Sequence, residues 1–309
     1  MYRVDQLWNQ HRDLLGLVLV MGQEWLKRAI SAPEAHRPGL SLSGYLKGYK
    51  SNQMLVFGRP EIAYIKDLEK AVRLERLDAI LTENTPAIII SKGLKLPKEL
   101  LSVAKAKKIP VFRTNMSSAA FLTKIIFLLS DEFAPSQSVH GSFVEVFGVG
   151  VLIQGESSIG KSETALGLIE RGHRLIADDI VRVKRKEGSD LEGRGVELSR
   201  HLMEIRGIGI INVQHLYGAV CVRESKSVDL VVRLEMWDDH KHYDRIGIEE
   251  HYHSILSVQV PFHLLPVKPG RDVVLLLETI ALNHRLKEMG LHSAKEFRLR
   301  QIAAIKGKR

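Results

Sequence analysis

Gly155-Glu156-Ser157-Ser158-Ile159-Gly160-Lys161-Ser162 fits the phosphate-binding pattern G-x-x-x-x-G-K-[ST] without a gap. The residues before it, 149–154, read as a short buried strand, and those after it, 163–171, as a helix that stops at Gly172. Strand, loop and helix are the context this motif needs. Two glycines let successive backbone N–H groups converge on phosphate oxygens at the positive end of the helix. Lys161 then reaches the β- and γ-phosphates and the Ser162 hydroxyl ligates Mg²⁺. The stretch predicts a nucleoside triphosphate or related polyphosphate as ligand.

A chain of 309 residues is long for one core, and two domains are expected. The alternation of strand-like and helix-like segments predicts a small α/β domain over residues 1–130. A polar linker follows over 131–138 and a second α/β domain over 139–309. In the first domain a strand is expected around Leu14–Val20 and one helix from Gly58 to about Glu75. It holds no catalytic constellation and reads as a regulatory or assembly module. Cys221 is the only cysteine, so neither a disulfide framework nor a cysteine metal site is expected. No signal-peptide pattern or membrane-length apolar run is present, which predicts a cytoplasmic protein without a membrane partner. The net charge of +9 sits mainly in the first 137 residues, and aromatic residues are few. That pattern suits an anionic ligand or an acidic protein, and does not call for nucleic acid.

Around the loop, residues 139–148 alternate as one half-exposed strand, with a hairpin expected through Gly148-Val149-Gly150. Antiparallel pairing would bring His140 near the start of the loop, as an active group or a structural one. The strand 173–177 ends in Asp178-Asp179. A carboxylate at the end of a neighbouring strand in phosphate-loop enzymes holds Mg²⁺ or orients a nucleophile. Adjacent strand residues point to opposite sides, so one aspartate is expected in the site and the other in a structural role. The stretch Met203-Glu204-Ile205-Arg206-Gly207-Ile208-Gly209-Ile210-Ile211-Asn212 sets polar residues on a glycine turn. Pro266-Val267-Lys268-Pro269-Gly270-Arg271 presents two cations on a rigid one. His240, His242, His251 and His253 read as surface residues rather than metal ligands.

Together these segments resemble the HPr kinase/phosphorylase family of bacterial serine kinases, along essentially the whole chain. The Glu204–Val213 stretch is its most specific part, and Phe57-Gly-Arg-Pro-Glu61 carries it in the first half. The resemblance implies phosphorylation of a serine on the phosphocarrier HPr with ATP and Mg²⁺, with pyrophosphate as donor in some members. It also implies removal of that phosphate by inorganic phosphate. Asp179 would be the base in one direction and the acid in the other, with His140, Lys161 and Arg245 completing the site. Ser162 and Glu204 would hold Mg²⁺, residues 203–212 would shape both reactions, and residues 266–271 would serve dephosphorylation. A homohexamer and a kinase domain like the core of phosphoenolpyruvate carboxykinase are implied as well. The family has Asp where this chain has Glu156, and Gly where it has Ser158. If the loop needs φ > 0 at position 158, serine costs on the order of 1 kcal/mol. A small-molecule phosphotransferase or a nucleotide-sensing regulator on the same scaffold are the other readings. The glycine-rich stretch opposes the first, and the full set of charged residues opposes the second.

Overall fold

The computed structural model describes residues 1–186, 188, 190–244 and 247–306, with Lys306 described in its backbone only. The chain divides into two compact units, Met1–Ala134 and Pro135–Arg309. Among the described residues, no helix is long and apolar enough to cross a membrane.

The first unit runs α1 (Val4–Leu15), β1 (Val18–Met21), β2 (Ala35–His36), α2 (Gly39–Leu42), β3 (Met54–Phe57) and α3 (Arg59–Asp67). It continues through α4 (Lys70–Ile80), β4 (Ile88–Ile90), α5 (Lys98–Ala106), β5 (Val111–Arg113) and α6 (Ser118–Phe133). Its sheet has the order β1-β5-β4-β3-β2, parallel except at β1. Side-chain alternation sends Met54, Val56, Ile89 and Phe112 into a core with α1 and α6. Leu55, Phe57, Ile88 and Ile90 pack with α3, α4 and α5 on the other face. The helix expected from Gly58 to Glu75 is broken at Leu68-Glu69. There Arg73 donates to the carbonyls of Lys66 and Leu68 at 3.0 and 2.9 Å, satisfying the end of α3. The expected strand at Leu14–Val20 begins only at Val18, because α1 extends to Leu15 and ends on Gly16 at φ +57°.

The second unit contains β6 (Ser136–His140), β7 (Ser142–Val146), β8 (Val149–Gly155), α7 (Lys161–Glu170), β9 (Arg174–Ala177), β10 (Ile180–Arg185) and β11 (Leu191–Gly195). Next come β12 (Leu202–Ile205), β13 (Gly209–Asn212), α8 (Val213–Tyr217), β14 (Ser225–Ser227) and β15 (Leu230–Met236). The last elements are β16 (His251–Ile255), β17 (Val258–Val267), α9 (Val273–Glu288) and α10 (Ser293–Lys306). The segment expected as a linker is ordered structure. No breaker precedes Pro135, so α6 continues through Asp131–Phe133, and β6 starts at Ser136.

A six-stranded sheet, β16-β17-β15-β8-β7-β9, packs one face on α7 and α9. Its other face meets a four-stranded sheet, β14-β11-β10-β6. Residues 139–148 are therefore two strands, not one. Gly141, at φ +156° and buried, separates β6 in the small sheet from β7 in the large one. A Cβ there would stand 2.4 Å from the carbonyl oxygen of Ile153. The hairpin turn is Phe147-Gly148, at φ +50° and +85°, and Gly150 lies inside β8.

Candidate active site

β8, β15 and β17 are mutually parallel, with Gly155 level with Leu234 and Met236 level with Val267. Their carboxyl ends therefore share one edge of the sheet, where open α/β sheets place ligands. The loop Gly155–Ser162 leaves β8 at that edge and enters α7 at Lys161. Gly160 caps the helix at φ +95°. Gly155 sits at φ +149°, and a Cβ on it would stand 2.7 Å from the carbonyl oxygen of Leu234. Glu156, Ser157 and Ser158 are exposed, whereas Ile159 packs onto the core and anchors the loop. Ser158 adopts φ +72°, the left-handed conformation in which serine is disfavoured. The Lys161 ammonium donates to the carbonyls of Gly155 and Glu156 at 3.1 and 2.7 Å, closing the loop on itself.

Asp178 and Asp179 lie between strands of different sheets, β9 in the large one and β10 in the small one. Asp179 takes φ +66°, a conformation few non-glycine residues adopt. Both aspartates line the same cleft, which corrects the expectation of opposite sides. The alternation rule holds along a continuous strand, and the left-handed turn at Asp179 ends that continuity. Asp178 is buried and accepts from Ser142 Oγ at 2.6 Å and from Ser162 Oγ at 2.9 and 3.1 Å. Burial pushes its carboxyl above the usual carboxylate range, against the two serine hydrogen bonds. Asp179 is exposed, and its Oδ1 stands 3.7 Å from His140 Nδ1. Pairing of Ile180 with His140 across β10 and β6, and the bond from Gly141 N–H to Asp179 O at 3.0 Å, set that distance.

Glu204 and Arg206 complete the cleft, which has a volume of about 200 Å³. They are held by the β12–β13 hairpin, in which Met203 and Ile205 point into the core and Glu204 points out. Gly207 and Gly209, at φ +83° and +98°, make the turn. Ile208 and Ile210 are exposed, and Ile211 and Asn212 are half-buried where the hairpin joins α8. The cleft thus gathers Lys161, Ser162, Asp178, Asp179 and Glu204. Among the described residues no three acidic, histidine or cysteine side chains converge to hold a metal by themselves. The Ser162 hydroxyl and a single carboxylate are nonetheless hard oxygen donors of the kind Mg²⁺ takes, and the glycine-bounded loop is a cradle for phosphate.

Farther along the edge, β17 ends in the expected rigid turn, with Gly270 at φ +81°. Lys268 Nζ lies 4.7 Å, and the Arg271 guanidinium 5.9 Å, from the ring centre of Trp237. Arg271 also donates to the carbonyl of Pro266 at 2.7 Å. Trp237 follows β15, and its ring contacts Tyr243 at 4.9 Å. The loop bearing Tyr243 and Asp244 is thereby tied to the cationic turn. Arg245 lies outside the described residues. Sequence reasoning missed Ser142 and Trp237 and left the role of Asp178 open. The aromatic residue next to a polar loop was the signal available for Trp237; for Ser142 there was none.

The family models for the HPr Serine kinase N terminus and the HPr Serine kinase C-terminal domain match residues 3–129 and 131–301. HPr kinase/phosphorylase of Halalkalibacterium halodurans is 42% identical over 289 residues, 94% of this chain and 93% of that protein. The enzyme of the same name from an Exiguobacterium species is 43% identical over the same shares. Among solved structures, the Hpr(Ser) kinase/phosphatase from Coxiella burnetii is 38% identical, with a TM-score of 0.47. That match covers 52% of this chain and 98% of the other. With both halves matched and identity sustained over nearly its full length, the chain belongs to the HPr kinase/phosphorylase family.

Proposed function

We propose that the chain transfers phosphate from ATP to a serine of HPr at the cleft between the phosphate loop and Asp179, and removes it there by phosphorolysis. The observation that carries this reading is the Asp179 carboxylate, exposed beside His140 in the same cleft as Lys161 and Ser162. A serine hydroxyl is a weak nucleophile and needs a base within hydrogen-bond reach. In the forward direction the serine oxygen attacks the γ-phosphorus, the bond to the β-phosphate oxygen breaks, and Asp179 receives the serine proton. In reverse an oxygen of inorganic phosphate attacks the phosphoserine phosphorus. The Ser O–P bond breaks, Asp179 returns the proton to the serine oxygen, and pyrophosphate leaves. Pyrophosphate is accordingly a second possible donor.

Lys161 and Arg245 offset the charge on the transferring group, and His140 holds Asp179 in register. Mg²⁺, held by Ser162 and Glu204, supplies further charge neutralisation when bound. Asp178 orients the Ser162 hydroxyl. Residues 203–212 shape the cleft for both directions, and Lys268 and Arg271 hold inorganic phosphate for the reverse one. A homohexamer, a cytoplasmic location and a core like that of phosphoenolpyruvate carboxykinase belong to the same reading. Incubation with ATP, Mg²⁺ and purified HPr, followed by mass spectrometry, should give one serine phosphate. Added phosphate should then remove the mark and release pyrophosphate. Transfer to a small metabolite instead of HPr, or no transfer, would sink the reading.

A further inference from the structure

The phosphate loop separates two clefts. One holds Ser162, Asp178 and Glu204; the second, of about 560 Å³, is lined by His140, Gln154, Gly155, Glu156, Ile159 and residues 233–236. The two meet at the His140–Asp179 pair. If polyphosphate and metal occupy the first, an acceptor whose hydroxyl reaches Asp179 enters from the second.

That second cleft is chemically asymmetric. Glu235 is matched by Lys241 at 2.5 Å. Arg233 is exposed and has no carboxylate within ion-pair distance among the described residues. Its guanidinium lies 5.5 Å from the ring centre of Phe262, which in turn stacks on His253 at 6.0 Å. Seating on an aromatic face fixes a guanidinium while leaving its N–H edge free. Gln154 pairs in register with Arg233 across β8 and β15, so both side chains stand on one sheet face. Among the described residues, the Gln154 Oε1 is buried without a hydrogen-bond partner, a state that native proteins rarely leave uncompensated.

We infer that Arg233, seated on Phe262 beside Gln154, recognises a carboxylate of the protein acceptor close to its target serine. The free guanidinium edge takes the carboxylate, and the unpartnered Gln154 oxygen takes a backbone N–H. A peptide offers both groups, whereas a nucleotide phosphate offers only acceptors. Arg233 is thus a specificity-determining residue for the reaction proposed above, on which this inference rests.

Steady-state kinetics with purified HPr test it in wild type, Arg233→Lys, Arg233→Ala and Arg233→Glu. Loss of a charge-assisted contact made equally in ground and transition states should raise the KM for HPr about tenfold in Arg233→Ala, and further in Arg233→Glu. Arg233→Lys should lie between wild type and Arg233→Ala. The kcat and the KM for ATP should hold, which also reports an intact fold. An HPr variant with lysine in place of an acidic residue near the serine should restore the KM of Arg233→Glu. An unchanged KM for HPr in Arg233→Glu overturns the inference, as does a KM for ATP that rises in parallel. If wild type transfers nothing to HPr, the underlying reading fails, and this inference fails with it.

Discussion

The Ser162 hydroxyl faces both carboxylate oxygens of Asp178, at 2.9 and 3.1 Å, and Ser142 fixes that carboxylate from behind at 2.6 Å. A buried acid held by two serines orients the hydroxyl expected to meet Mg²⁺. Replacing such a supporting group typically costs about 10–100-fold in metal affinity or activity. Asp178→Asn should shift the Mg²⁺ requirement of the kinase by that factor, as read from a Mg²⁺ titration at saturating ATP. An unshifted curve would reduce Asp178 to a packing role.

Ser158 sits at φ +72° in the loop that cradles phosphate. Ser158→Gly should raise the unfolding free energy by up to about 1 kcal/mol, and Ser158→Val should lower it by roughly 1–2 kcal/mol. Urea denaturation of both variants checks the sign. Equal stabilities would mean that the loop relaxes its backbone at no cost.

Lys268 and Arg271 both stand over the Trp237 ring, which also contacts Tyr243. Trp237→Ala leaves both cations without their aromatic platform, which contributes about 0.5–2 kcal/mol per contact depending on desolvation. If this turn holds inorganic phosphate as proposed, phosphorolysis should fall about tenfold in kcat/KM for phosphate. HPr phosphorylation should fall less. Equal losses in both directions would assign the platform to general stability.

His263 carries a pH signature. Burial, then Lys287, His284 and His251, hold its pKa below the ordinary 6.5. Between the lowered value and 6.5 the unfolded chain binds more protons than the folded one, so stability rises with pH across that window. The contribution is fully present above 6.5 and is lost as pH falls through the window. His263→Gln should flatten the dependence of Tm on pH as pH falls below 6.5. A wild-type-like slope in this variant would place the acid sensitivity on other groups.

The sequence made the phosphate loop legible because its glycines, lysine and serine each have a local job that no distant contact changes. Placing His140 near the loop also succeeded, although by a different route from the one expected. Its position follows from pairing with Ile180 in the small sheet, not from a continuous strand running back from the hairpin. The aspartate pair misled because strand parity presupposes an unbroken strand. A left-handed aspartate leaves no mark in the sequence comparable to a glycine's. Gly141 was visible, but that its missing Cβ clears the Ile153 carbonyl depends on tertiary contact. Likewise the break at Leu68-Glu69 depends on Arg73 reaching back to the carbonyls of Lys66 and Leu68, which helix periodicity cannot register.

Gly141 has a mechanical consequence. On one side of it, Ser142, Asp178 and Ser162 belong to the large sheet and its first helix. On the other, His140 lies in β6 of the small sheet and Asp179 immediately precedes its strand β10. On the function proposed above, the groups that would meet the metal and the group that would handle the proton are thus carried by different sheets, which pack face to face through a shared core. On that reading, a core substitution between the two sheets would alter the His140–Asp179 distance more than the hydrogen bond from Ser162 to Asp178.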